Sequence, residues 1–224
     1  MVKYTLFSSE ELTYAVEAFG FLPFFKNRIE GFSVEEMCPS ELWFADGIDG
    51  PWEWKGPVAS SGKCIYGKVF AGKAGFVSRE WLPRFVNYRR DGYDLDSRYE
   101  EGILDRREKL IFDVVEKNAV ILSKNLRELS GYGRSGAKGF DGLITRLQMQ
   151  TYICVADFKY ARDKSGKEYG WGIAEYTTPE NLFGYEYVTS AYPEDPAVSR
   201  DAIKEHLLGI LPGSDSKDLS FIIG

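Results

Sequence analysis

An α+β fold is predicted for this 224-residue chain by three features of its pattern. Apolar residues recur at helical spacing in several capped segments, and β-branched or aromatic runs bounded by turn residues lie between them. In residues 141–176, DGLITRLQMQTYICVADFKYARDKSGKEYGWGIAEY, one period passes directly into the other. The length suits one or two domains with a substantial core.

The elements follow in order. In SSEELTYAVEAFG, Ser8 or Ser9 can cap a helix carrying Leu12, Ala15, Val16 and Phe19, and Gly20 and Pro23 end it. From Phe24 to Phe76 the chain is rich in Gly, Pro and aromatics, with runs such as CIYGKVF that suit strands. Residues 1–100 therefore read as a small α+β unit with a Trp-rich loop, GPWEWKG. The mixed charges of NYRRDGYDLDSRYEEGILDRRE predict a solvated helix face or connector.

Three apolar-periodic segments come next. Leu104, Leu110, Ile111, Val114 and Val115 line a first helix, and Ser123 can cap a second, short one with Leu126 and Leu129. After GYGRSGAKG, Phe140, Leu143, Ile144 and Leu147 stand at i, i+3, i+4 and i+7 of a third. TYICVADFKY then reads as a strand, RDKSGK as a turn and GWGIAEYTT as the returning strand. Helix, short helix, turn, helix and hairpin is the order of a winged helix-turn-helix, placed at 101–178 within the C-terminal two-thirds. Residues 179–224 form a helical extension, with a capped helix in PEDPAVSRDAIKEHLLGIL and a short tail, DLSFIIG.

Charge and cysteine usage narrow the function. The formal net charge is -6, yet nine Lys/Arg stand against four Asp/Glu between Lys124 and Lys167, where a DNA-reading face would lie. Duplex DNA is thus the expected partner. Cys38, Cys64 and Cys154 are odd in number and widely spaced, which fits a reduced compartment. No stretch has the apolar length of a signal or membrane span, and a soluble cytoplasmic protein is expected.

Several motifs lack the context their chemistry needs. GKVFAGKA is one residue short of a phosphate-binding loop, with Ala74 where a magnesium-binding hydroxyl belongs. Gly131, Gly133 and Gly136 spell G-x-G-x-x-G, but after a helix rather than a strand. His206 is the only histidine, and the carboxylates of DGYDLDSRYEEG lack the glycine of a calcium loop. No metal and no cofactor are expected. Trp52 and Trp54 suit either a platform for a base or ligand, or anchors of a loop on the core.

Gln148 and Gln150 remain. If the third helix ends after Leu147, both amides project the same way from extended chain. Such a pair can hold a water and a substrate oxygen without carrying charge, and can orient a nucleophilic water when the leaving group is already activated. Alternatively, the amides bond bases, phosphates or neighbouring backbone at a helix end.

The run ITRLQMQTY resembles the leucine-plus-Gln-x-Gln element of the AlkZ/YcaQ-like DNA glycosylases, winged-helix proteins that remove alkylated or crosslinked bases. The stretch WEWKGPVASSGKCIYGKVFAGKAGFVSREWLPRF is similar to bacterial proteins related to AlkZ, and the resemblance spans residues 40–180. It implies a possible DNA N-glycosylase in which Gln148 and Gln150 place water at the anomeric carbon of an extruded base. Lys138, Arg146, Lys159, Arg162, Lys164 and Lys167 would hold phosphates. A non-catalytic winged-helix regulator, and a small-molecule or protein-binding module using the aromatic segment, are the alternatives.

Overall fold

The computed structural model describes residues 4–43, 48–134, 136–162, 164, 166 and 168–224. Ser8 accepts the Glu11 N–H and opens α1 (Ser9–Phe19), which buries Leu12, Ala15 and Val16. Strand β1 (Phe21–Pro23) and a short α2 (Val34–Met37) follow.

The tryptophan segment is a helix and not the expected loop. Gly50 caps α3 (Pro51–Ala59), and Pro51 at its first position lends a preset φ where no N–H is needed. Strands β2 (Cys64–Phe70) and β3 (Lys73–Ser78) form a hairpin around Ala71 and Gly72. Their φ values of 48° and 76° give the tight turn that matches strand twist, so the near phosphate-loop motif is a hairpin tip.

The charged stretch holds the end of α4 (Leu82–Arg90) and all of α5 (Leu95–Glu100). Asp105 caps α6 (Arg106–Asn118), leaving Leu104 outside the helix. Ile111, Phe112 and Val115 are its buried apolar residues, whereas Leu110 faces solvent. After β4 (Ile121–Leu122), Ser123 is the first residue of α7 (Ser123–Leu129) and not its cap. Leu126 is buried and Leu129 is 63% exposed, since a helix this short buries one stripe only. Helix α8 (Phe140–Met149) buries the expected Phe140, Leu143, Ile144 and Leu147.

Strands β5 (Cys154–Arg162) and β6 (Glu168–Thr177) make the expected hairpin, and α9 (Pro179–Phe183) and α10 (Tyr185–Val188) follow it. Asp195 caps α11 (Pro196–Ile210). The segment expected to be a tail is α12 (Ser216–Ile223), whose Leu219 and Ile222 reach the core.

The described strands form one six-stranded antiparallel sheet in the order β1-β3-β2-β5-β6-β4. Its two hairpins meet at β2 and β5, where Tyr66 pairs with Val155. Successive side chains of a strand point to opposite faces, so Tyr66 and Gly67 divide the sheet's surroundings. The Tyr66 ring packs against Phe24, Phe76 and Phe158 with centroids 4.8–5.9 Å apart. Gly67 meets α8 on the other face, where a β-carbon would stand 3.1 Å from Gln148 Oε1.

Arg90 ties this frame together. It is 2% exposed, although the run around it reads as solvated. Its Nη2 donates to the Thr151 carbonyl at 2.8 Å and its Nε to Thr151 Oγ1 at 3.3 Å. Its Nη1 donates to Glu180 Oε1 and to the Tyr192 hydroxyl, and the guanidinium lies 4.6 Å from the Tyr152 ring centroid. Burial works against the charge, but Glu180 and Tyr192 more than offset it and raise the guanidinium's pKa above its ordinary value. Thr151 holds φ 62° at the turn from α8 into the hairpin, a conformation that costs a β-branched residue energy unless its surroundings impose it. Arg90 supplies that constraint.

Arg90→Ala should therefore lower the unfolding free energy by about 3–5 kcal/mol, because it strands Glu180 and the Thr151 carbonyl. Urea denaturation checks this, and a loss below about 1 kcal/mol would show that the cluster is not structural.

Candidate functional site

The expected paired projection of the glutamines does not occur. Helix α8 runs through Gln148 to Met149, and Gln150 is its C-cap at φ -83° and ψ 3°. Residues two apart at the end of a helix are turned about 200° from one another, whereas two on a strand would share a side. The helix continues past Leu147 through the Gln150 N–H to Arg146 carbonyl bond, and Gln148 docks on β2.

Gln148 is 1% exposed. Its Oε1 accepts the Lys68 backbone N–H at 3.0 Å, over the gap that Gly67 leaves in β2. Its Nε2 donates to the Ile144 carbonyl one turn back, at 3.3 Å. The amide thus satisfies a strand N–H at the irregular pairing between Gly67 and Phe70, and its carbonyl is already engaged. Gln150 differs. Its Oε1 is buried and makes no hydrogen bond among the described residues.

The two tryptophans also separate, again because positions two apart on a helix diverge. Trp54 is 1% exposed in the core, with a buried Nε1 that finds no acceptor among the described residues. Trp52 is half-buried beside Lys55, which sequence reasoning missed. The Lys55 Nζ lies 4.1 Å from the Trp52 ring centroid and 4.6 Å from that of Phe158, donates to the Trp52 carbonyl and stands 3.5 Å from the Tyr160 hydroxyl. Lys55 is 3% exposed and makes no ion pair among the described residues. Burial lowers its pKa to about 8, a fall that Glu53 partly opposes. Phe158 packs on Tyr66, so this aromatic box and Gln148 stand on opposite faces of the sheet.

The expected phosphate contacts form two groups. Arg146 Nε is paired with Glu108 Oε1 at 2.7 Å, and Lys159 bridges Asp157 at 3.1 Å and Glu175 at 3.3 Å. Lys138 and Lys164 are exposed and make no ion pair among the described residues. Lys167 lies outside the described residues, as does the Arg162 side chain. Glu108, buried in α6, carried no signal in the sequence of its pairing with Arg146 across 38 positions.

Other groups are structural. His206 stacks on Trp81 at 4.2 Å, and its Nε2 contacts the Phe19 carbonyl at 2.9 Å. Among the described residues, no three His, Cys, Asp or Glu are grouped to hold a metal, and no helix is long and apolar enough to cross a membrane. The three cysteines are free and buried, and burial pushes the Cys38 and Cys64 thiols up to about 12.

The fold and these sites define a mixed α+β protein with a six-stranded antiparallel sheet, one face packed on a glutamine-bearing helix and the other on an aromatic box. The family is specific: the AlkZ-related family model matches residues 6–224, and the chain belongs to that family. No curated protein and no solved structure matches the chain.

Two stability tests follow. Gln148→Ala should cost about 1–2 kcal/mol in urea denaturation, because the buried amide's hydrogen bond to the Lys68 N–H is lost. Retention of full stability would mean that the amide bond to β2 is dispensable. Lys55, with a folded pKa of about 8 against an ordinary 10.5, imposes a cost that is complete below pH 8 and relieved as pH rises toward 10.5. The stability advantage of Lys55→Met over the native protein should thus shrink by about 3 kcal/mol across that window. A pH-independent difference between the two would rule out a buried, titrating Lys55.

Proposed function

We propose that this chain binds duplex DNA as a winged-helix relative of the AlkZ-like glycosylases. The observation that carries this reading is the order α6, β4, α7, α8, β5, β6, with β4 returning to pair with β6 through Ile121↔Tyr176 and Leu122↔Glu175. A helix, a short strand on the far edge of a hairpin, two further helices and that hairpin is how a winged helix is wired. Membership of the AlkZ-related family supports the same partner. In this reading residues 101–178 meet DNA, while the N-terminal strands and the C-terminal helices brace them.

The cations contribute unequally. Exposed Lys138 and Lys164 meet phosphate without giving up a protein partner. Arg146 and Lys159 must exchange Glu108, or Asp157 and Glu175, for a phosphate oxygen, so their net gain is smaller. The dependence of log K on log[salt] for a generic duplex should lose a slope of about 1 in Lys164→Ala and change little in Lys159→Ala. Equal slope losses would contradict this division, and the absence of salt-dependent binding by the native protein would overturn the DNA reading.

Base excision is a second reading, favoured by one observation. The buried Gln150 side-chain oxygen has no partner among the described residues, so it can take a hydrogen bond from a water directed at an anomeric carbon. As that water adds to the anomeric carbon and gives up a proton to solvent, a base made cationic by alkylation leaves as the neutral base with the glycosidic electrons. Gln148 then sets the end of α8 and leaves the water to Gln150. Release of modified bases from alkylated genomic DNA by the native protein, lost in folded Gln150→Ala, is the expected result. No release above background by the native protein would leave a binding protein that does not excise the common alkyl lesions.

A further inference from the structure

Lys55 is a buried amine for which neither reading above has a use. Helix α3 packs on β5 and places the Lys55 Nζ 4.1 Å from the Trp52 ring centroid and 4.6 Å from that of Phe158. Its polar neighbours are the Trp52 carbonyl and, at 3.5 Å, the Tyr160 hydroxyl. Phe158 and Tyr160 both lie against Gly172 of β6, where a β-carbon would stand 3.0 Å from the Phe158 Cβ and 2.8 Å from the Tyr160 Cζ. A side chain at 172 would displace the Tyr160 ring, so the glycine shapes that wall. Trp52, Phe158 and Tyr160 are each partly exposed, which puts the amine, itself 3% exposed, one ring below solvent.

A lysine kept for stability pairs with a carboxylate or carries its charge out to water along its stem. Lys55 does neither among the described residues. Glu53 on its own helix is exposed and acts only at a distance, and Asp157 on β5 is taken by Lys159 at 3.1 Å. An apolar setting without a counterion favours the neutral amine, the form with a free electron pair. With a pKa of about 8 against an ordinary 10.5, that form is about 300 times more abundant at pH 7 than in an exposed lysine. The box also selects among electrophiles. Carbon dioxide would make an anionic carbamate, which the electron-rich faces of Trp52 and Phe158 repel. An aldehyde makes a neutral imine, which the rings accept.

We infer that Lys55 is a covalent site for aldehydes, captured as an imine between Trp52 and Phe158 with Tyr160 as the proton donor. The neutral amine adds to the carbonyl carbon, and its proton passes to the carbonyl oxygen to give a carbinolamine. Tyr160 donates its proton as the C–O bond breaks and water leaves, then recovers one from the iminium nitrogen. Aldehyde and amine thus become imine and water, and nothing is oxidised or reduced. The aldehyde has two sources: a small aliphatic molecule free in solution, or the ring-opened sugar of an abasic site, which base excision leaves in DNA. Only the second rests on the DNA-binding reading.

The test incubates the native full chain at pH 7 with propanal, or with a duplex that contains an abasic site, in the presence of sodium cyanoborohydride. The hydride reduces any imine to a stable amine, and peptide mass mapping locates it. With limiting propanal, Lys55 should carry about tenfold more adduct than exposed lysines such as Lys138 and Lys164, and urea unfolding should abolish the preference. Tyr160→Phe should slow trapping at Lys55 by about 10-fold or more and leave the exposed lysines unchanged. Adduct on the exposed lysines of the folded chain, with Lys55 unmodified by either source, overturns the site. Equal trapping in Tyr160→Phe overturns the proton-donor assignment. Lys55 crosslinked to the abasic duplex makes DNA the source of the aldehyde, whereas trapping of propanal alone makes it a free molecule, whichever way the salt test of DNA binding falls.

Discussion

A guanidinium can sit inside a protein only where every part of its charge is answered, and the fold turns on one such place. Arg90 projects from the end of α4 and is answered by three later parts of the chain: the Thr151 turn, Glu180 on α9 and Tyr192 beyond α10. Tyr152 and Tyr192 also direct their hydroxyls to the Tyr93 carbonyl, which closes the cluster from the side of α4. Each partner belongs to a different segment. The charge therefore selects one mutual arrangement of α4, the α8–β5 junction and the C-terminal helices, where apolar contacts alone would tolerate several.

The same junction governs how far α8 extends. The left-handed Thr151 follows the Gln150 cap and turns the chain into β5. Gln148 is carried onto β2, and Gln150 stays at the rim with an unanswered carbonyl. The sheet then acts as a partition. The end of α8 and the box of Trp52, Lys55 and Phe158 lie on separate sides of it.

Periodic features of the fold were legible in the sequence. The Ser8 cap, the stripe from Phe140 to Leu147, the hairpin after it and the helix in PAVSRDAIKEHLLGI all follow from spacing over a few residues, and the structure has them. Relationship to AlkZ was carried by ITRLQMQTY and the tryptophan-rich stretch, and the family match extends over nearly the whole chain. What depended on distant partners was hidden. Arg90 finds Thr151 and Glu180 at separations of 61 and 90 residues, so its run looked like any solvated charge cluster. Gln148 meets Lys68 across 80 residues, so nothing near it in the sequence shows that its amide is buried against β2. Helix α3 was masked by Gly, Pro and aromatics, residue types that punctuate strands and loops, although Pro51 is well suited to a helix start.

The spacing of the Arg90 partners also has a meaning during synthesis. At roughly 5–20 residues per second, Arg90 leaves the ribosome some 5–20 s before Glu180 does. In that interval β1, β2 and β3 can pair among themselves, but α4 still bears a charge that no finished surface will accept. Its docking waits for the last third of the protein. A chain interrupted before Glu180 leaves the Arg90 guanidinium without both Glu180 and Tyr192, the two groups that offset its burial.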